Sequence, residues 1–161
     1  MIRPARAADA PALAALLNHC ILHTDVTFNP VPKTDGDILD MIAAKAAAGH
    51  AFLVAEEAGV LIGQASYGQF RGGEGYRSCM EHSISLLPGT PRKGLGRSLL
   101  TAIEDHARAG GAHQMIAGIS GENADGQAFH ARMGYRPLAI IPEAGHKFGR
   151  YMDLVLMQKF L

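Results

Sequence analysis

The segment from Ser78 to Ile119 restricts the fold more than any other. It opens with "SCMEHSISLL", a strand-like run, passes through "TPRKGLGRSLL", and continues as a helix to Ala109 with Leu95, Leu99, Leu100 and Ile103 on one face. Gly110 and Gly111 end that helix, and "QMIAGI" follows as another strand. Upstream, "AFLVAEEAGVLIGQASYGQF" reads as two strands joined at Ala58 and Gly59, so the first half of the sheet is an antiparallel meander. A meander joined to one strand, helix and strand unit predicts an α/β (α+β) architecture with a mixed, mostly antiparallel twisted sheet flanked by helices.

The remaining elements fit that frame. Ile2 to Ala5 reads as a short strand, followed by a helix capped by Asp9 that carries Leu13, Leu16, Leu17, Cys20 and Ile21 on one face. A second helix is opened by Thr34 and Asp37, stops at Gly49 and buries Ile38, Met41 and Ile42. "NADGQAFHARMGY" predicts a short helix ended at Gly134, and "RPLAIIPE" and "RYMDLVLMQKF" supply two last strands. With 161 residues, 48% of them hydrophobic, the chain suits a single domain over 1–161 with its own core.

Charge and cysteine usage exclude several classes. Fifteen basic residues balance fifteen acidic ones, so no global field draws the chain to nucleic acid or an anionic membrane. Cys20 and Cys79 form no C-x-x-C pair, the N-terminus lacks an apolar signal core, and no apolar run approaches spanning length. A soluble, cytoplasmic protein with reduced thiols is expected. The histidines show neither H-E-x-x-H nor paired Cys and His spacing, so no metal is implied.

The turn at Gly94 and Gly96 sits at a helix start, where unpaired N–H groups and the helix dipole favour an anion. Arg92, Lys93 and Arg97 add positive charge, and the alternative is an ordinary solvated basic helix start. Leu95 and Gly96 stand where a Walker A loop needs Lys and Ser, and Leu99 stands where a dinucleotide fingerprint needs its third glycine.

Taken with "IRPA", "FRGGEGYR", "MEHSISL", "KGLG", "GEN", "FHARMGY" and "HKFGRYMDLVLMQ", the turn resembles the GNAT N-acetyltransferase superfamily, and within it the phosphinothricin and methionine sulfoximine acetyltransferases. The resemblance spans nearly the whole chain. It implies acetyl-CoA as co-substrate and a small amine acceptor, with the pyrophosphate on Arg92, Lys93, Gly94, Leu95, Gly96 and Arg97. It also implies backbone contacts to the cofactor arm from Ile84, Ser85 and Leu86, and a contact from Asn123, otherwise a turn or cap residue. Glu81 takes the place of the family's general base, although a solvated glutamate on a sheet face is the plain reading of the residue alone. Period-two alternation puts Glu81, Ser83 and Ser85 on one face of their strand. His130 matches the residue that protonates the departing thiolate, or is a packed helix histidine.

For the acceptor, Arg71 matches the family arginine that takes a carboxylate, and is otherwise a solvated loop residue. Phe28 aligns with a pocket wall or faces the core, and Gly72, Gly73, His82 and Ser83 match further contact positions. The family also implies a homodimer. A free α-amine with a pKa of about 8 lies roughly 3.5 units above an ordinary Glu, about 5 kcal/mol uphill, so a water relay or a raised Glu81 pKa is expected. Direct transfer in a ternary complex follows, with no acetyl-enzyme. Two other classes compete: a protein that binds acetyl-CoA with little turnover, and an acetyltransferase for a different amine such as a peptide. The chain also departs from the family pattern. Pro91 stands where the loop begins with Gln or Arg and removes one N–H donor, while Met41 and Tyr151 replace tryptophans.

Overall fold

The computed structural model describes residues 1–90 and 94–161. Seven strands form one sheet: β1 (Ile2–Pro4), β2 (Phe52–Glu57), β3 (Val60–Gln69), β4 (Cys79–Leu86), β5 (Gln114–Ser120), β6 (Arg136–Lys147) and β7 (Arg150–Phe160). Their spatial order is β1-β2-β3-β4-β5-β7-β6, and every neighbouring pair is antiparallel except β4 with β5. Among the described residues there are four α-helices, α1 (Ala10–His23), α2 (Asp35–Ala47), α3 (Leu95–Ala109) and α4 (Ala124–Arg132), and two short 3₁₀ turns at Ala7–Asp9 and Glu74–Tyr76. The expected mixed sheet, the turn at Ala58 and Gly59, and the single strand, helix and strand unit are all present.

Each face of the sheet carries its own core. Leu99, Leu100 and Ile103 of α3 are fully buried against Ala65, Tyr67, Met80 and Met115 of the strands, which is the stripe that the helical period predicts. On the opposite face, Leu13 of α1 and Ile38 of α2 close over Phe52 and Val54. Truncating any one of these large side chains to alanine costs about 2–5 kcal/mol. Inside the α3 layer, buried Glu104 accepts from the Tyr135 hydroxyl at 2.9 Å and from Lys159 Nζ at 2.6 Å, which pairs a charge that would otherwise be costly.

Two local expectations turn out differently. Thr34 and Asp37 form the expected reciprocal box at the start of α2, but Asp9 makes no side-chain cap on α1. Its carboxylate instead takes the Arg3 guanidinium at 2.8 Å and the Arg6 N–H at 2.7 Å, because the cation of β1 is the stronger donor. The last strands are longer than "RPLAIIPE" implies: β6 runs through Pro142 and Gly145 to Lys147, with an irregular register between Ile141 and Gly145. It forms the sheet edge, where a proline costs no ladder bond.

Candidate active site

Parallel pairing between β4 and β5 ends where Glu81 meets Ile116. Leu87 N–H donates to the Ile62 carbonyl and the Cys79 carbonyl accepts from Phe70 N–H, so the odd-numbered residues of β4 turn their backbone groups toward β3. His82, Ile84 and Leu86 therefore turn theirs the other way, and beyond Glu81 no described strand pairs with them on that side. The parting opens a cleft of about 700 Å³, walled by Ile84, Ser85 and Leu86 on one side and by Gly118, Ile119, Asn123, Phe129 and His130 on the other. Gly96 of α3 also lines it.

Gly94 precedes α3 with φ of 94°, a conformation open to glycine and strained for other residues, and this aims the first turn of the helix. The N–H groups of Leu95, Gly96 and Arg97 occupy the first turn, where no intrahelical acceptor exists. Pro91, Arg92 and Lys93, and the phosphate contacts expected of the last two, lie outside the described residues. Asn123 caps α4, its side chain accepting the Gly126 N–H at 2.8 Å.

A second cleft of about 290 Å³ lies on the α1 and α2 face and shares Lys45, Ser66, His82 and Ser83 with the first. Glu81 lines it, half-buried, with Oε1 over Gly118, where a Cβ would come within 3.0 Å. Burial raises the Glu81 carboxyl above the usual range, and the Lys45 ammonium draws it partly back. The upward shift brings a carboxylate closer to the proton affinity that a general base needs. Ser83 and Ser85 share the face of Glu81 as the alternation predicts, and Gln64, 1% exposed, donates to both hydroxyls at 3.4 and 3.3 Å.

On the other face, His82 and His130 stack with ring centroids 5.0 Å apart and Nε2 atoms 3.2 Å apart. His130 Nδ1 meets the Gly126 carbonyl at 2.7 Å, so it carries a proton. In the neutral pair the His130 Nε2 is then an acceptor, His82 Nε2 donates to it, and His82 Nδ1 is left buried without a partner among the described residues. Burial, with His130 alongside, pushes the His82 pKa down to about 3, and burial lowers that of His130. Both rings are therefore held neutral at ordinary pH.

The remaining expected residues are not all gathered at the clefts. Arg71 is exposed, its guanidinium 5.5 Å over the Tyr76 ring, and neither it nor Gly72 or Gly73 lines either cleft. The Phe28 ring lies flat on Gly145, where a Cβ would overlap it, so it packs between the α1–α2 connection and β6. Two lysines were not anticipated. Buried Lys147 donates to the carbonyls of Thr24 and Thr27 at 2.6 and 2.8 Å and fixes the wall that these residues give the larger cleft. Lys45 lines both clefts, and its position seven residues after Ile38, on the stripe of Met41 and Ile42, was the available signal. Cys20 is buried and Cys79 half-buried, and burial pushes both thiols up. Among the described residues no group of three or more His, Cys, Asp and Glu is placed to hold a metal, and no helix is long and apolar enough to cross a membrane.

The central parallel pair parts beside a helix N-terminus, and the acetyltransferase (GNAT) family model matches residues 18–135. The chain belongs to this family. It is 40% identical over 157 residues to an L-amino acid N-acyltransferase, MnaT, of Escherichia coli K12, covering 98% of this chain and 91% of that protein. It is equally 40% identical to an L-methionine sulfoximine/L-methionine sulfone acetyltransferase of Salmonella typhimurium, with 98% and 92% covered. Among solved structures, a Salmonella typhimurium acetyltransferase with its cofactor acetyl-CoA superposes with a TM-score of 0.95 at 39% identity, over 99% of this chain and 92% of that one.

Proposed function

We propose that this chain transfers an acetyl group from acetyl-CoA to the primary amine of a small amino-acid-like acceptor of the methionine sulfoximine, methionine sulfone or phosphinothricin type. The observation that carries the reading is the meeting of the two clefts at β4, with half-buried Glu81 in the smaller one. The relatives' names support the acceptor class.

The open edge of His82, Ile84 and Leu86 fits the amide-bearing arm of acetyl-CoA. Ile84, Ser85, Leu86 and Asn123 would hold that arm, and the N–H groups of Leu95, Gly96 and Arg97, with Arg92 and Lys93, would face its pyrophosphate. Bound there, acetyl-CoA supplies an activated thioester. Glu81 takes the amine proton, directly or through water, and the N–H groups turned into the parting stabilise the developing oxyanion. Raised thiol pKa values at Cys20 and Cys79 disfavour a cysteine nucleophile, which supports direct transfer. His130 gives a proton to the departing sulfur only from its imidazolium form, since the proton of the neutral ring is held by Gly126. His82 and Ser83 sit at the junction of the clefts, while Phe28, Arg71, Gly72 and Gly73 line neither and would meet the acceptor only from outside them. A cytoplasmic homodimer completes the reading: Leu138, Ile140 and Ile141 of edge strand β6 are exposed apolar residues that a second copy would cover.

The test is CoA release with acetyl-CoA and a panel of methionine sulfoximine, methionine sulfone, phosphinothricin, ordinary amino acids and a basic peptide. Exclusive activity on the peptide overturns the acceptor class. Glu81→Gln is expected to lower kcat by about 10²- to 10⁴-fold, with the acetyl-CoA KM nearly constant. It should also abolish the acid limb of the rate profile, which in the parent lies above the ordinary carboxyl range. An unchanged kcat removes Glu81 as the base.

A further inference from the structure

The smaller cleft holds a second charge that the transfer chemistry leaves unused. Lys45 projects from α2 so that Nζ stands on Gly68, where a Cβ would come within 2.7 Å of it. Gly68 is the direct cross-strand partner of Glu81 in the β3–β4 register. Directly opposed residues of an antiparallel pair have Cβ positions only about 5 Å apart, so the ammonium and the carboxylate flank one small space. They do not meet there: among the described residues Lys45 and Glu81 form no ion pair, and Lys45 makes a single hydrogen bond, to the Tyr67 carbonyl at 2.8 Å.

An ammonium has three N–H donors, and one is engaged. Holding a cation partly out of water is unfavourable unless an anion meets it, and among the described residues Lys45 feels the Glu81 charge across the cleft without touching it. Glu81 is a carboxylate with no hydrogen bond from the described residues, in the same cleft. A cation and a base side by side, each with donor or acceptor capacity unfilled, match the two groups that an α-amino acid carries on one carbon.

We infer that Lys45 binds the α-carboxylate of the acceptor and thereby sets its α-amine against Glu81. The inference rests on the amino-acid acceptor proposed above. It makes Lys45 the residue that selects a free α-amino acid over an amine lacking the carboxylate, such as an amino-acid amide or an internal peptide lysine. The exposed Arg71, stacked on Tyr76 outside both clefts, leaves this position to Lys45.

The test compares the full-length parent, Lys45→Met and Lys45→Arg on methionine sulfone and on its α-carboxamide, with the acetyl-CoA KM measured in each as a control for the folded cofactor cleft. Lys45→Met is expected to raise the methionine sulfone KM by about 10- to 100-fold, the worth of a charge-assisted contact, and to leave the carboxamide KM nearly unchanged. Lys45→Arg is expected to recover part of the loss. A lysine that merely ties α2 to the Tyr67 carbonyl would affect both acceptors alike. Equal KM shifts on the two acceptors, or a shift confined to kcat, overturn the inference while leaving the acetyltransferase reading intact. A parent enzyme that releases no CoA with any amino acid overturns that reading, and this inference with it.

Discussion

Replacing His82 with asparagine should flatten the acid side of the stability curve. In the folded chain burial holds the His82 pKa at about 3, with neighbouring His130 adding to the effect, whereas an unfolded histidine titrates near 6.5. Between those values the unfolded chain binds one more proton than the folded one, so stability rises with pH. The contribution of His82 is fully present above the unfolded value and is lost as pH falls from 6.5 toward 3, at about 1.4 kcal/mol per unit. Cooling the comparison to a mild range, from about pH 7 to about pH 5, leaves roughly 1.5 units of that slope, or about 2 kcal/mol. Urea unfolding of parent and variant at steps through the range measures it, and the carboxylates common to both proteins drop out of the difference. The variant will be less stable at neutral pH; only the difference in slope bears on the argument. Parallel stability curves, agreeing within about 0.3 kcal/mol after a constant offset, would refute the buried neutral pair.

Two further outcomes are expected. Asn123→Ala removes the side-chain acceptor for Gly126 N–H and should cost about 1 kcal/mol, lowering Tm by a few degrees while weakening acetyl-CoA binding; an unchanged Tm denies the cap its role. Ile140→Glu, on the exposed edge strand, should convert a dimer to a folded monomer in light scattering with an unchanged far-UV spectrum, and a parent that is already monomeric removes the dimer proposal.

Most of the framework could be read from the residues because its signals are local. Leu95, Leu99, Leu100 and Ile103 lie on one helical stripe whatever else the chain does, and Ala58 with Gly59 turns a hairpin on its own. The alternation of Glu81, Ser83 and Ser85 was legible for the same reason. The parting of β4 from β5 was not, since His82 to Leu86 look like ordinary strand whether or not a neighbour pairs with them. Asp9 illustrates competition: its sequence position suits a cap, but Arg3, brought alongside, takes the carboxylate. Lys147 had no local sign at all, because its two acceptors are carbonyls from a distant loop.

That lysine also sets the order in which the cleft is finished. The wall formed by Thr24 and Thr27 leaves the ribosome early, yet the ammonium that holds it is made more than a hundred residues later, in the second-to-last strand. A nascent chain can therefore bury Leu13 and Ile38 against Phe52 and Val54 well before it can fix that wall. The shape of the larger cleft is thus a readout of β6 docking on the α1–α2 connection, a contact spanning more than a hundred residues.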